Sequence, residues 1–306
     1  MQHVSVMATA CVCATVVVCT VVVSNAGPLV PPGGPVAPTM VTLEQVGGRI
    51  PITPAFTPGD GTALRVIDEP GSYYLTGDLV GTPGPHGIDI RADHVTIDLN
   101  GYQVLGAGPG SGIVASAGFD EMTIFGGTVR GWGGDGIGIE NSNNAHLRDL
   151  RVMENGGRGV VAGWNCSVFD VQVLSNGMGG IDVGSQGRLE RVRVENNAGD
   201  GVVARFELTA LDTVSAFNEG DGFRVGPFTR MTRVDTFVND GHGVFAENGA
   251  RLVDVRADFT GGDGFNVGQD ARMESCTAGS NDGVALRASG GLNAVGERLT
   301  TGAGDA

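Results

Sequence analysis

The sequence predicts an all-β fold: a single parallel β-helix, or solenoid, of about ten coils, most of them on a period of 21. Two observations carry this. Glycine followed by Val, Ile or Phe recurs in steps of 21 at Gly159-Val160, Gly180-Ile181, Gly201-Val202, Gly222-Phe223, Gly243-Val244 and Gly264-Phe265. Four positions before five of these glycines stands an asparagine, at Asn155, Asn176, Asn197, Asn218 and Asn239, and Thr260 takes the sixth place. Fixed self-similarity without helical patterning is the signature of stacked β-coils.

The remaining columns assign a direction to each side chain. Leu189 leads in steps of 21 to Ala210, Met231, Leu252 and Met273, and Val192 to Thr213, Val234, Val255 and Cys276. Val194 leads to Ser215, Thr236, Ala257 and Ala278, and Val183 to Ala204, Val225, Ala246 and Val267. Apolar or small columns two positions apart are the inward faces of strands, whose neighbours are the same strands one coil later, about 4.8 Å away. The asparagines then form an internal amide ladder, each at a turn that tolerates a left-handed backbone. Between the inward positions, Arg191, Asp212, Arg233 and Asp254 make a column of alternating sign, read as a solvated face that pairs its charges.

In chain order, residues 1–26 read as a signal peptide. An apolar run covers Val4 to Val23, and Ser24-Asn25-Ala26 offers a cleavage site before Gly27. No Lys or Arg precedes the run, so an uncleaved membrane anchor is the alternative. Residues 27–60 are a Pro/Gly-rich linker and N-terminal segment. There Pro51, Pro54 and Pro58 break regular structure, and the chain is expected to lie across the open end of the first coil. The solenoid occupies 61–306. Its first strands fall at Leu64–Ile67, Tyr73–Leu75 and Ile88–Ile90, followed by the alternating stretch Val95 to Leu99 and a turn at Asn100-Gly101. Coils then recur at Gly87-Ile88, Gly112-Ile113 and Gly136-Ile137. Gly283-Val284 is read as the last clear coil, after a shortened step of 19, with Leu292 and Val295 continuing two columns.

Composition narrows the function. Lys+Arg 19 against Asp+Glu 34 gives a net charge of −15, without a basic tract, which argues against nucleic-acid binding and docking on anionic lipid. Three of the five cysteines would leave with the signal. Cys166 and Cys276 then stand five coils apart, about 24 Å at one sheet spacing per coil, too far for a disulfide.

Gly71-Ser72-Tyr73-Tyr74-Leu75-Thr76-Gly77-Asp78-Leu79, with Val95-Thr96-Ile97-Asp98-Leu99-Asn100-Gly101 after it, resembles the opening of a family of secreted bacterial right-handed parallel β-helix proteins. Their fold is that of the pectate-lyase-like superfamily, and the resemblance spans Arg49 to Gly283. It implies right-handed coils and export, and it leaves activity open, because the fold hosts lyases, hydrolases, adhesins and inert surface proteins.

Gly241-His242-Gly243 resembles the Gly-His-Gly motif of polygalacturonase-like hydrolases. Asp221 and Asp200 precede His242 by one and two coils, and Asp263 follows. Carboxylates beside an imidazole are the ingredients of acid–base chemistry on a sugar, so Asp200, Asp221 and His242 are the candidate catalytic residues. The motif departs from that family, with Gly220-Asp221 in place of Asp-Asp and no Arg-Ile-Lys downstream. Coils this short leave little chain for cleft walls, and the same residues also read as turn-forming. His86, His94 and His146 share no metal-binding spacing, so no metal or cofactor is expected. Gly261-Gly262-Asp263-Gly264 lacks the short internal period of calcium-binding repeats. Trp132 and Trp164 would stack on sugars only if exposed. The expected protein is a monomeric, secreted or cell-surface, non-catalytic module with polysaccharide as its partner. A carbohydrate-active enzyme and a ligand-free structural spacer are the alternatives.

Overall fold

The computed structural model describes residues 48–295 together with strand Arg298–Leu299. The expected signal peptide 1–26, most of the linker 27–60 and residues 300–306 of the expected solenoid lie outside the described residues. The fold is an all-β, right-handed parallel solenoid of about twelve turns, close to the ten expected, with about 21 residues per turn. Its strands form an 18-stranded and an 11-stranded sheet, paired in parallel throughout. Among the described residues no helix is long and apolar enough to cross a membrane.

The repeat register is read directly from the pairing. Val202 faces Phe223, Phe223 faces Val244 and Val244 faces Phe265 in the smaller sheet. In the larger one, Ala210, Met231, Leu252 and Met273 follow one another. All four inward columns are buried, including the polar Thr213, Ser215 and Thr236. Those hydroxyls find local partners. Thr213 Oγ1 donates to Leu211 O at 2.8 Å and Ser215 Oγ to Gly222 O at 2.8 Å, so each meets the requirement for burial.

A regular coil turns three corners, and at each corner one residue adopts a left-handed backbone. In the coil beginning at Gly222 these are Phe228 (φ 60°), Arg233 (φ 52°) and Val238 (φ 53°). The charged column Arg191, Asp212, Arg233 and Asp254 is the middle corner, where strands such as Arg230–Phe237 bend. The asparagines are not the left-handed residues. The residue before each takes that role (Glu154, Ser175, Asn196, Phe217, Val238), which swings the amide inward. Asn155, Asn176, Asn197, Asn218 and Asn239 are then buried, and each of the first four donates from Nδ2 to the next Oδ1 at 2.9–3.0 Å. The column glycines permit close approach: a Cβ on Gly222 would lie 1.9 Å from Thr236 Oγ1.

Both ends differ from the sequence expectation. Arg49–Ile52 is a strand despite Pro51, and pairs with Gly71–Leu75, so the larger sheet begins upstream of residue 61. At an edge strand a proline removes no ladder bond that a neighbour needs. Downstream the period does not shorten. Phe265 pairs with Leu286, and Ala285 occupies the glycine column, so the spacing of 21 persists. Gly283 belongs instead to the turn column of Gly220, Gly241 and Gly262. Leu292 packs on the core, but Val295 pairs with Glu274 on the outer face and is exposed.

Candidate functional site

One turn column carries the expected acid–base residues, and the structure brings Asp200, Asp221 and His242 together on consecutive coils. Their side chains are linked by a relay of hydrogen bonds to backbone. The Asp221 amide donates to Asp200 Oδ1 at 2.7 Å, the His242 amide to Asp221 Oδ1 at 2.7 Å, and the Asp263 amide to His242 Nδ1 at 2.9 Å. The Val284 amide closes the series on Asp263 Oδ1 at 3.0 Å. Each of these coils leaves one amide at this corner without a ladder partner, and a short acceptor on the preceding coil receives it. The same device recurs upstream, where Asp135 Oδ1 accepts from Arg158 N at 2.7 Å and His86 Nδ1 from Ser111 N at 3.0 Å.

This geometry fixes what His242 can do. Its Nδ1 holds the Asp263 amide, while Asp263 Oδ2 lies 3.8 Å away, beyond hydrogen-bonding distance. The amide therefore places the lone pair on Nδ1 and the proton on Nε2. The accessible nitrogen is a donor, whereas a general base needs its free lone pair on the exposed side.

Two arginines flank the column, each one coil and a few positions after an aspartate. Arg224 Nε bonds Asp200 Oδ2 at 2.9 Å, and its Nη2 lies 2.6 Å from Asp221 Oδ2. The second contact is off the hydrogen-bonding line, so Asp221 Oδ2 has an ion-pair partner and no directed donor. Burial pushes the Asp221 carboxyl above the usual carboxylate range, against the His242 amide and Arg224, which lower it. Arg287 Nε bonds Asp263 Oδ2 at 2.6 Å, and this pair holds the Asp263 carboxyl below its usual range. Arg224 also lies 5.3 Å from the centroid of Phe245, whose ring is 6.1 Å from that of His242. Neither arginine was among the residues expected from sequence. The Asp-Gly-Phe-Arg stretch at 221–224 is the signal that would have found Arg224.

A depression of about 70 Å³ lies beside the column, between Arg158, Met178, Asp182, Asp200 and Val203. Ligand pockets occupy about 300 Å³ or more. Burial raises the Asp182 carboxyl there, and Arg158 partly opposes it. Trp132 is buried and donates from Nε1 to Val104 O at 3.0 Å, so it is a core residue, whereas Trp164 is exposed. Cys166 and Cys276 are buried, and burial pushes the Cys166 thiol up to about 12. Among the described residues no group of three or more His, Cys, Asp or Glu is placed to hold a metal ion.

No protein-family model and no curated protein matches the chain. Solved structures of similar fold do. The A-module of mannuronan C-5 epimerase AlgE4 from Azotobacter vinelandii aligns at 13% identity with a TM-score of 0.60, over 83% of this chain and 87% of that one. The AlgE6 A-module of the same organism aligns at 14% identity and 0.51, over 82% and 88%. The pectate lyase Pel9A follows at 14% identity and 0.47, over 78% and 72%. At such low identity the two epimerase modules show a shared fold alone, the right-handed parallel β-helix.

Proposed function

We propose that the chain is an exported, monomeric, non-catalytic β-helix module that binds polysaccharide along its outer sheet faces. One observation carries the non-catalytic half: one acceptor atom of each of Asp200, Asp221, His242 and Asp263 is engaged by a backbone amide of the following coil, and the second oxygens of the three aspartates face Arg224 or Arg287. Groups whose lone pairs complete the backbone's hydrogen bonding are poorly placed to exchange protons with a sugar. The polysaccharide half draws on fold similarity to two modules whose names assign them mannuronan as substrate. Export rests on the apolar run Val4 to Val23 before Ser24-Asn25-Ala26.

A second reading, a polysaccharide-cleaving enzyme, is favoured by Asp221, whose carboxyl is raised by burial beside Arg224 and the partly exposed His242. Perturbed carboxyls at a surface are candidate acids. Incubating the full chain and its Asp221→Asn variant with a glycan array and assaying reducing-sugar release separates the two. Binding without release, unchanged in Asp221→Asn, is expected. Release that is lost in Asp221→Asn establishes the enzyme instead.

A further inference from the structure

All 19 basic residues of the chain are arginine. Many of the exposed ones are ion-paired, as Arg191 is with Asp170, Arg224 with Asp200, Arg233 with Asp212, Arg256 with Asp258 and Arg287 with Asp263. Three that are not share one column. Arg230, Arg251 and Arg272 face one another on consecutive coils, all exposed, and among the described residues no carboxylate lies within ion-pair distance of them. Like charges directly opposite on neighbouring strands destabilise a sheet, so stability does not account for this column. The turn corner three residues on reads Arg233, Asp254 and Ser275 over the same coils, so it does not repeat a single charge. At the foot of the arginine column a depression of about 350 Å³ is lined by Arg251, Arg272 and Asn293 on one side and Val253, Glu274 and Val295 on the other. Val295 is 63% exposed.

We propose that Arg230, Arg251 and Arg272 form a docking ladder for a uronate polysaccharide lying parallel to the solenoid axis. Planar guanidinium groups fork onto carboxylates, and a ladder rising about 4.8 Å per coil offers one fork per step along an extended chain of acidic sugars. Val253 and Val295 stand on either side of Glu274 in the facing column and offer one apolar contact each to a ring face. A nucleic-acid duplex strand presents phosphates about every 3.4 Å, out of step with that rise. The chain as a whole is acidic, so long-range attraction does not assist, and binding depends on the three direct contacts. The inference rests on the polysaccharide reading above and specifies its ligand and its face.

Binding of the full chain to polygalacturonate, to its fully methyl-esterified form, to a neutral glucan and to single-stranded DNA tests it, alongside Arg251→Gln, the triple Arg→Gln variant and the control Arg233→Gln. Expected are salt-sensitive binding to polygalacturonate alone, tenfold or greater weakening in Arg251→Gln, loss in the triple variant and no change in Arg233→Gln. The melting temperature of the triple variant should hold or rise, since repulsion is removed. Wild-type binding by the triple variant, equal binding of the esterified polymer, or equal binding of DNA overturns the ladder. Binding of the neutral glucan alone overturns the ladder but leaves the polysaccharide reading standing. Binding to none of the glycans overturns both.

Discussion

Replacing Asn218 by alanine tests the internal ladder most directly. The Asn218 Oδ1 accepts two bonds from the preceding coil, from Asn197 Nδ2 at 2.9 Å and from the Asn197 amide at 3.1 Å. Its Nδ2 donates to Asn239 Oδ1 at 3.0 Å, Ser215 Oγ at 3.1 Å and Val194 O at 3.2 Å. Alanine removes all of these in a site that is 1% exposed. Two of the side-chain partners keep another bond: Ser215 Oγ still donates to Gly222 O, and Asn197 Nδ2 still donates over a long contact to Val173 O at 3.4 Å. The Asn197 backbone amide loses its acceptor, so at least one buried donor is orphaned. Each orphan costs about 1–3 kcal/mol. With the lost Nδ2 bonds and the small void added, about 3 kcal/mol is expected. Repeat folds need not unfold in one step, so the loss should be measured twice, by denaturant unfolding and by hydrogen exchange of individual amides. The Asn197 amide should lose protection while amides near Ile97 keep theirs. A loss under about 0.5 kcal/mol, the low end for a net hydrogen bond, or one spread evenly over all coils would refute the ladder's energetic role.

Val234 is fully buried and Val214 half-buried, so Val234→Asp should cost several kcal/mol and Val214→Asp far less; equal thermal destabilisation would refute the register. Asp263 has its carboxyl lowered by Arg287, so it contributes stability above its unfolded pKa that is lost as acid carries the pH down through the folded value. The Asp221 carboxyl is raised, so its contribution is complete below its unfolded pKa and is lost as pH rises through the folded one. Acid titration of thermal stability should therefore show Asp263→Asn flattening the fall on acidification, by about 1 kcal/mol, and Asp221→Asn not doing so; the reverse assignment would contradict the geometry. Phe259 is 57% exposed with φ 56°, a conformation that costs an ordinary side chain about 1–2 kcal/mol and asparagine less, so Phe259→Asn should hold or raise the melting temperature. A drop of several degrees would mean that the ring packs against something the exposure does not reveal.

How much of this was legible in the sequence follows from what repeats. Inward columns and the amide ladder were readable because each rung meets the same requirement on every coil, and a void or an orphaned amide eliminates exceptions. Positive-φ corners were not readable from Phe217, Phe228, Val238 and Phe259, since bulky side chains are poor predictors of that conformation. The column argument alone could have found them, because Asn196, Ser175 and Ser280 occupy the same corner as Phe217. The last coil differs from its expectation because Gly283-Val284 imitates the glycine–apolar pair while Ala285 holds the true place. Local identity misled there, and the unbroken period of 21 was the better guide.

The same contrast explains His242. Read locally, Gly-His-Gly after two aspartates looks like acid–base machinery. Read by column, the position repeatedly supplies one thing, a short acceptor for the next coil's amide, with Arg158 and Gly179 as exceptions. Asp200, Asp221, Asp263 and Asp135 supply a carboxylate oxygen, Ser111 a hydroxyl, and His86 and His242 an imidazole nitrogen. Two histidines near opposite ends of the solenoid satisfy the requirement through the same atom, Nδ1, which makes imidazole one more member of the acceptor set. A catalytic role has to be argued from what remains after the backbone is served. At Asp221 the remainder is Oδ2, held by Arg224; at His242 it is an Nε2 proton, a donor rather than a base. The column of Arg230, Arg251 and Arg272 has no such structural duty, and function is therefore better sought there.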